Sequence, residues 1–381
     1  MSSLTLARGW LIRVSVGILL AVGFGLAPLR AQETTDKDPP APAPAPLKLA
    51  ELEPLTRENL KRIEELRSEP VGSMTASWRP DGKELLLPLS SSGQEGVEIR
   101  DAETLEVLGT TAPGRRVIQI FFNPRLPQVL LVTVNSGVEM VNTETGDGFV
   151  FDDLGRGAAT LGVSYRPDGK QVAIGGQQGK LFLVDTATGE KQHVLELEKN
   201  MFAMNPAYSR DGKLIAVNPA RGAVRIWESD TGRLVRELEQ PESNTGRMCL
   251  FDRTGERLLT LETGKNVAFW KIADGSNLWK REPEENPPLA LRWVAEGTVL
   301  VGVAAGAIVF YDPAELQALH ELESHTRAFA FGISPDGKRL MMIGRNDGDP
   351  SNLLTFWGVP KAAPVVPAEA PPPAPKAAPA N

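Results

Sequence analysis

One phrase recurs seven times along this chain. It is a short apolar strand, a Pro-Asp-Gly-Lys-like turn, a second apolar strand, a glycine hairpin and an aromatic-ended strand. The clearest copies are Trp78-Arg79-Pro80-Asp81-Gly82-Lys83, Tyr165-Arg166-Pro167-Asp168-Gly169-Lys170, Tyr208-Ser209-Arg210-Asp211-Gly212-Lys213 and Ile333-Ser334-Pro335-Asp336-Gly337-Lys338. Weaker copies stand at Phe122-Asn123-Pro124, Phe251-Asp252-Arg253-Thr254-Gly255-Glu256 and Trp293-Val294-Ala295-Glu296-Gly297. The steps from Gly169 to Gly212, Gly255 and Gly297 are 43, 43 and 42 residues.

A period in the forties with four strands per unit is the pattern of a propeller. The expected fold is all-β, a seven-bladed β-propeller of four-stranded antiparallel blades. Within Ala223-Val224-Arg225-Ile226-Trp227, Val224 and Ile226 share one face and Arg225 takes the other, as a strand requires. Asp-Gly pairs suit the hairpins because glycine accepts a positive φ without steric cost. Pro206, on an innermost strand, is tolerable because no neighbour there needs the missing N–H. The third strands end at Arg100, Val141, Val184, Trp227, Trp270, Tyr311 and Trp357, so the register holds throughout.

The seventh unit stops after its third strand. The missing outer strand is expected at the other end of the chain, at residues 60–66, which resemble Leu234-Val235-Arg236-Glu237-Leu238. Pairing it there closes the ring and removes an exposed edge. The rival is a helix over residues 55–66 capped by Thr56, whose apolar residues also fit helical spacing.

The repeated phrase resembles the WD-repeat β-propeller family, including relatives with a Val-Asp-x-x-Thr-Gly third turn such as Val184-Asp185-Thr186-Ala187-Thr188-Gly189. The resemblance covers roughly residues 59–358. The family's Trp-Asp pair is nowhere intact; Trp227-Glu228, Trp270-Lys271 and Tyr311-Asp312 come nearest, and Gly-His is reduced to Ser324-His325. The family's buried His–Ser/Thr–Asp–Trp network therefore cannot be assembled in most blades. The resemblance implies a fold that displays loops, with ligands meeting the top face.

The ends have another character. Arg8 and Arg13 precede an apolar run over residues 14–26, with small residues after it and Ala31-Gln32 as the cut. That run is short of the roughly 20 residues that span a bilayer, and it reads as a signal peptide over residues 1–31. Residues 32–58 read as a Pro/Ala-rich linker, residues 59–358 as the propeller and residues 359–381 as a disordered Pro/Ala-rich tail, because such stretches bury too little apolar area to order themselves. The expectation is an exported monomer, periplasmic or extracellular, with no membrane span once the signal is cut. Cys249 is the only cysteine, so no internal disulfide forms. Net charge is −7 and falls to about −10 without Arg8, Arg13 and Arg30. Such an acidic balance gives no global reason to bind nucleic acid.

No catalytic, metal or cofactor site is expected. His193, His320 and His325 are not at ligand spacing, and one cysteine leaves too few soft donors for zinc. Asp152-Asp153 and Glu282, Glu284 and Glu285 lack the alternation of a calcium loop. Gly155-Arg156-Gly157, Gly175-Gly176 and Ser90-Ser91-Ser92-Gly93 read as turns, not as phosphate loops or nucleophile elbows. The turn aspartates recur with the repeat and read as turn formers.

A set of cations does not follow from the repeat. The loops and hairpins assigned to the top face carry Arg116, Arg156, Arg221, Arg247, Lys265, Arg327 and Arg345 as partner-binding candidates, with Arg67, Arg115 and Lys199 beside them. Glu198, Glu239, Glu242, Glu282 and Asp153 are interleaved. Such a ring focuses potential on an anionic partner if the acids leave it uncompensated. The expected function is a non-enzymatic interaction scaffold for a protein or peptide partner. The alternatives are a propeller enzyme of the lactonase or quinone-dehydrogenase type, for which Ser77, Gln119, Asn205 and Arg292 on the first strands are poor ligands, and a wall- or membrane-associated structural module spaced by the Pro/Ala stretches.

Overall fold

The computed structural model describes residues 51–361, apart from 90–91, 135–136, 152–153, 155–161, 177–178, 198–204, 220, 240–244, 264–266, 282–287, 295–296 and 305, and apart from the side chains of 245–247, 263 and 281. Seven antiparallel sheets follow one another around a ring, six of them with four strands. Blade 1 is built from Ser77–Trp78, Glu84–Pro88, Val97–Asp101 and Val107–Thr111. Blades 2 to 6 occupy residues 117–151, 163–196, 207–238, 245–281 and 290–323. Blade 7 takes Arg327–Ile333, Arg339–Arg345 and Asn352–Pro360 from the end of the chain.

The ring closes with an N-terminal strand, displaced from the expected position. Glu64–Val71 pairs antiparallel with the last strand, from Glu64 against Gly358 to Val71 against Asn352. Residues 60–62 form a single 3-10 turn in place of the start of that strand, and the rival long helix does not form. Side-chain chemistry makes the turn. The Asn59 Oδ1 accepts the Thr56 N–H at 2.8 Å, and its Nδ2 donates to the Pro54 carbonyl at 2.9 Å. Pro70 is tolerated in the closing strand because that strand lies at the sheet edge. Packing also begins earlier than residue 59. Leu52 and Leu55 are buried, and Leu52 pairs with Pro360.

Seven apolar clusters fill the seven seams between blades. Trp227, Trp270 and Trp357 are buried in them, and Trp78 and Trp293 pack against them, as expected for interblade core. A polar tie repeats where the second strand begins. Gln128 Nε2 donates to the Thr186 carbonyl of the next blade at 2.8 Å, and Gln171 Nε2 to that of Ser229 at 3.2 Å. Arg339 does the same across the closing seam, from Nη1 to the Ala102 carbonyl. Its guanidinium is almost fully buried, 4.3 Å from the Trp78 ring centre and 5.8 Å from that of Phe356. Burial holds it well below its ordinary range, down to about 10.

Antiparallel order fixes two faces. First-to-second and third-to-outer turns lie on the bottom face, while second-to-third hairpins and the loops between blades lie on the top. The repeated turns are built as expected. Asp81, Asp168, Asp211 and Asp336 each accept the N–H two residues on, at 3.0 to 3.2 Å. Gly169 and Gly212 carry φ of +75° and +73°, which a side chain would resist.

Candidate functional site

Among the described residues, the candidate cations of the top face differ in how far they are offset. Arg116, in the loop entering blade 2, and Arg221, in the hairpin of blade 4, are exposed. Neither enters an ion pair among the described residues. Arg327 lies 3.5 Å from Asp347, both largely exposed, so its field is partly offset. Arg345 lies across the Phe329 ring at 5.5 Å. The backbone of Arg247 belongs to the first strand of blade 5 rather than to a loop. Arg156, Lys265 and Lys199 lie outside the described residues, as do Asp152-Asp153 and Glu282, Glu284 and Glu285.

Two further cations are consumed internally. Arg67 sits within the closing strand and pairs with Glu69, which also faces Arg100 at 3.6 Å. Arg115 Nη2 stands 3.3 Å from the buried Glu139 carboxylate. The Arg67-x-Glu69 spacing, which puts both side chains on one face of a strand, was the signal for the first pairing.

Beside Arg345 the top face is concave. A depression of about 480 Å³ opens between the closing strand and the long hairpin of blade 7, lined by Val71, Met74, Arg345, Pro350 and Asn352 among others. Asn352 Nδ2 donates to the Ser73 carbonyl at 3.1 Å and fixes the floor. Met74 is 40 % exposed at its rim. Sequence reasoning missed this place because it forms only where the two ends of the chain meet. A depression of similar volume lies on the bottom of blade 5, around Arg257, Ile272 and Leu278.

In the channel, equivalent positions of the seven first strands are Ser77, Phe121, Ser164, Ala207, Leu250, Arg292 and Gly332. That level offers one guanidinium, two hydroxyls and no acid or histidine. Ser77 Oγ donates to the Ile120 carbonyl of the next blade at 2.6 Å. Arg292 keeps accessible surface at this level and donates to the Leu291 carbonyl at 2.9 Å. Protein nevertheless surrounds it, and this desolvation holds its guanidinium below the usual range.

The histidines serve packing. His193 Nε2 lies 2.8 Å from the Asp230 carbonyl of the next blade, and His320 stacks on Phe310. His325 is buried, 2.9 Å from Thr355 Oγ1 and edge-on to Trp357. Cys249 is buried, and burial pushes its thiol up to about 12. Among the described residues no three His, Cys, Asp or Glu side chains come together as a metal site, and no helix is long and apolar enough to cross a membrane.

The fold and this face define a seven-bladed β-propeller with four-stranded blades. No protein-family model matches the chain, and no curated protein matches it either.

Proposed function

We propose that this protein is an exported, non-enzymatic scaffold of the WD-repeat-like type, whose top face receives a protein or peptide partner with acidic character. The observation that carries the reading is the pair Arg116 and Arg221, exposed and outside every ion pair among the described residues of an acidic chain. Arg327 adds a weakly offset charge on the same face. A rigid closed ring holds such loops at fixed separations, and this is the physical contribution of the fold to recognition.

Two remnants support the WD-like type. Trp270 Nε1 donates to Thr260 Oγ1 at 3.0 Å in blade 5, and His325 meets Thr355 and Trp357 in blade 7. Support for the non-enzymatic reading is that the histidines, Cys249 and the turn aspartates are each occupied by packing or turn formation. Support for export is the sequence of residues 1–31.

The test is affinity capture with the wild-type chain and with Arg116→Glu/Arg221→Glu, at low and high salt. The double reversal is expected to lose the specific partner, and the wild-type complex to weaken as salt screens the charges. A captured set unchanged by reversal and by salt would reject the reading.

A further inference from the structure

Outer strands of a propeller are sheet edges, and each needs a device against pairing with other chains. Five of the seven here carry charge: Lys191–Glu196, Leu234–Leu238, Asn277–Arg281, Gln317–Glu323 and Glu64–Val71. In all five the pairing with the third strand also shifts register, a bulge that twists the edge away. Val107–Thr111 of blade 1 has no charge but keeps the bulge.

Gly148–Phe151 of blade 2 has neither device. Its sequence is Gly-Phe-Val-Phe, and its pairing runs without a break from Gly148 against Val141 to Phe151 against Val138. Gly148 permits this. A Cβ there would lie 2.2 Å from the Met140 carbonyl oxygen, so only glycine brings the two strands together without an extra residue. Phe149 then lies over Gly189 of blade 3, 36 % exposed, while Val150 on the other face is 47 % exposed.

We infer that the outer edge of blade 2 is a docking site for an extended peptide segment of a partner protein, added as a fifth strand. Backbone hydrogen bonds to Gly148–Phe151 supply affinity, and apolar residues beside Phe149 and Val150 supply specificity. The surroundings select the partner's charge. Glu144 and Asp147 are exposed in the turn that leads into the strand, and exposed Glu190 follows the glycine under the Phe149 ring. The nearby Lys191 is turned onto the Phe182 ring. The segment is therefore apolar at its centre with lysine or arginine at its ends. A second copy of this chain is a poor occupant, because self-pairing brings these acidic surroundings together. The protein's own Pro/Ala-rich stretches are poor ones as well, because proline lacks the N–H that the ladder needs.

The probe is a short labelled peptide alternating valine and threonine with a lysine pair at each end, titrated against the full chain by fluorescence anisotropy. Hydrogen exchange locates the site. Binding with new amide protection at residues 148–151 is expected. Val150→Lys should weaken it about tenfold with little change in thermal stability, since the site is exposed. A glutamate-flanked peptide should bind about tenfold more weakly, and one N-methylated on alternate amides should not bind. No binding of the lysine-flanked peptide would overturn the inference. So would equal binding by the N-methylated peptide, equal binding to Val150→Lys, protection confined to other strands, or a dimer formed through this edge.

Discussion

His325 joins three parts of the chain that are remote in sequence. Its Nε2 lies 2.9 Å from Thr355 Oγ1, which is 2.7 Å from Ser68 Oγ on the closing strand. Burial holds the imidazole below its ordinary pKa of 6.5, against the raising influence of Asn346 and Glu65. The unfolded chain therefore binds the proton more readily than the folded one. Stability from this group is full above the unfolded value and declines as pH falls below about 6.5. Thermal unfolding should give a flat Tm above pH 7 and a falling Tm toward pH 5, and His325→Gln should flatten that slope. Asp101, Asp168 and Asp211 act in a lower window, since each is held below its ordinary carboxylate value. Asp101, although partly desolvated, is held below its ordinary value by the N–H groups of Thr104 and Glu103. An unchanged slope in His325→Gln would assign the pH 5 to 7 dependence elsewhere. The Ser324-His325 remnant marked the position of His325 in the repeat. The link to Ser68 was not legible, because nothing local in sequence connects position 68 to position 355.

At the scale of elements, the periodic parts of the fold were legible and the closing segment only in outline. Asp-Gly turns and alternating strands are local devices, so the end of each third strand was read to within a residue or so for blades 1 to 6. Residues 60–66 satisfy both strand and helix spacing, and the Asn59 side chain decides by building a turn first. The pairing then starts at Glu64, and Leu60 and Ile63 become anchors in the seam between blades 6 and 7. Leu60→Ala is expected to cost about 2–4 kcal/mol, because Leu60 is 2 % exposed and leaves a cavity among Phe310, Trp357 and their neighbours. Arg57→Ala, which removes an ion pair to Asp312 with the arginine half exposed, should cost less than about 1 kcal/mol. Urea unfolding of the two variants measures the contrast. Equal losses would mean that the segment is held by its charges rather than by its apolar anchors. The cationic face was the least legible part, since pairings such as Arg327 with Asp347 depend on tertiary loop geometry.

For the whole molecule, closure makes seven marginal sheets into one body. The tie from blade to blade is the same inside the ring, at Gln128 and Gln171, as across the closing seam at Arg339. The seam differs in one respect, because its outer strand is supplied by residues far away in the chain. A chain beginning at residue 72 loses that strand together with the Leu55, Leu60 and Ile63 anchors. It exposes the full edge of Asn352–Pro360, which pairs with Arg339–Arg345 on one side only once the closing strand is gone. Such an edge is a template for association between molecules. The shortened chain is expected to have a lower Tm and to self-associate in sedimentation velocity. A synthetic segment of residues 51–71 added in trans should occupy the edge, restore the single-chain species and raise Tm, because a ligand that binds only the folded ring stabilises it by mass action. A shortened chain that stays monomeric with unchanged Tm would mean that the interblade ties and apolar seams hold the ring without its last strand.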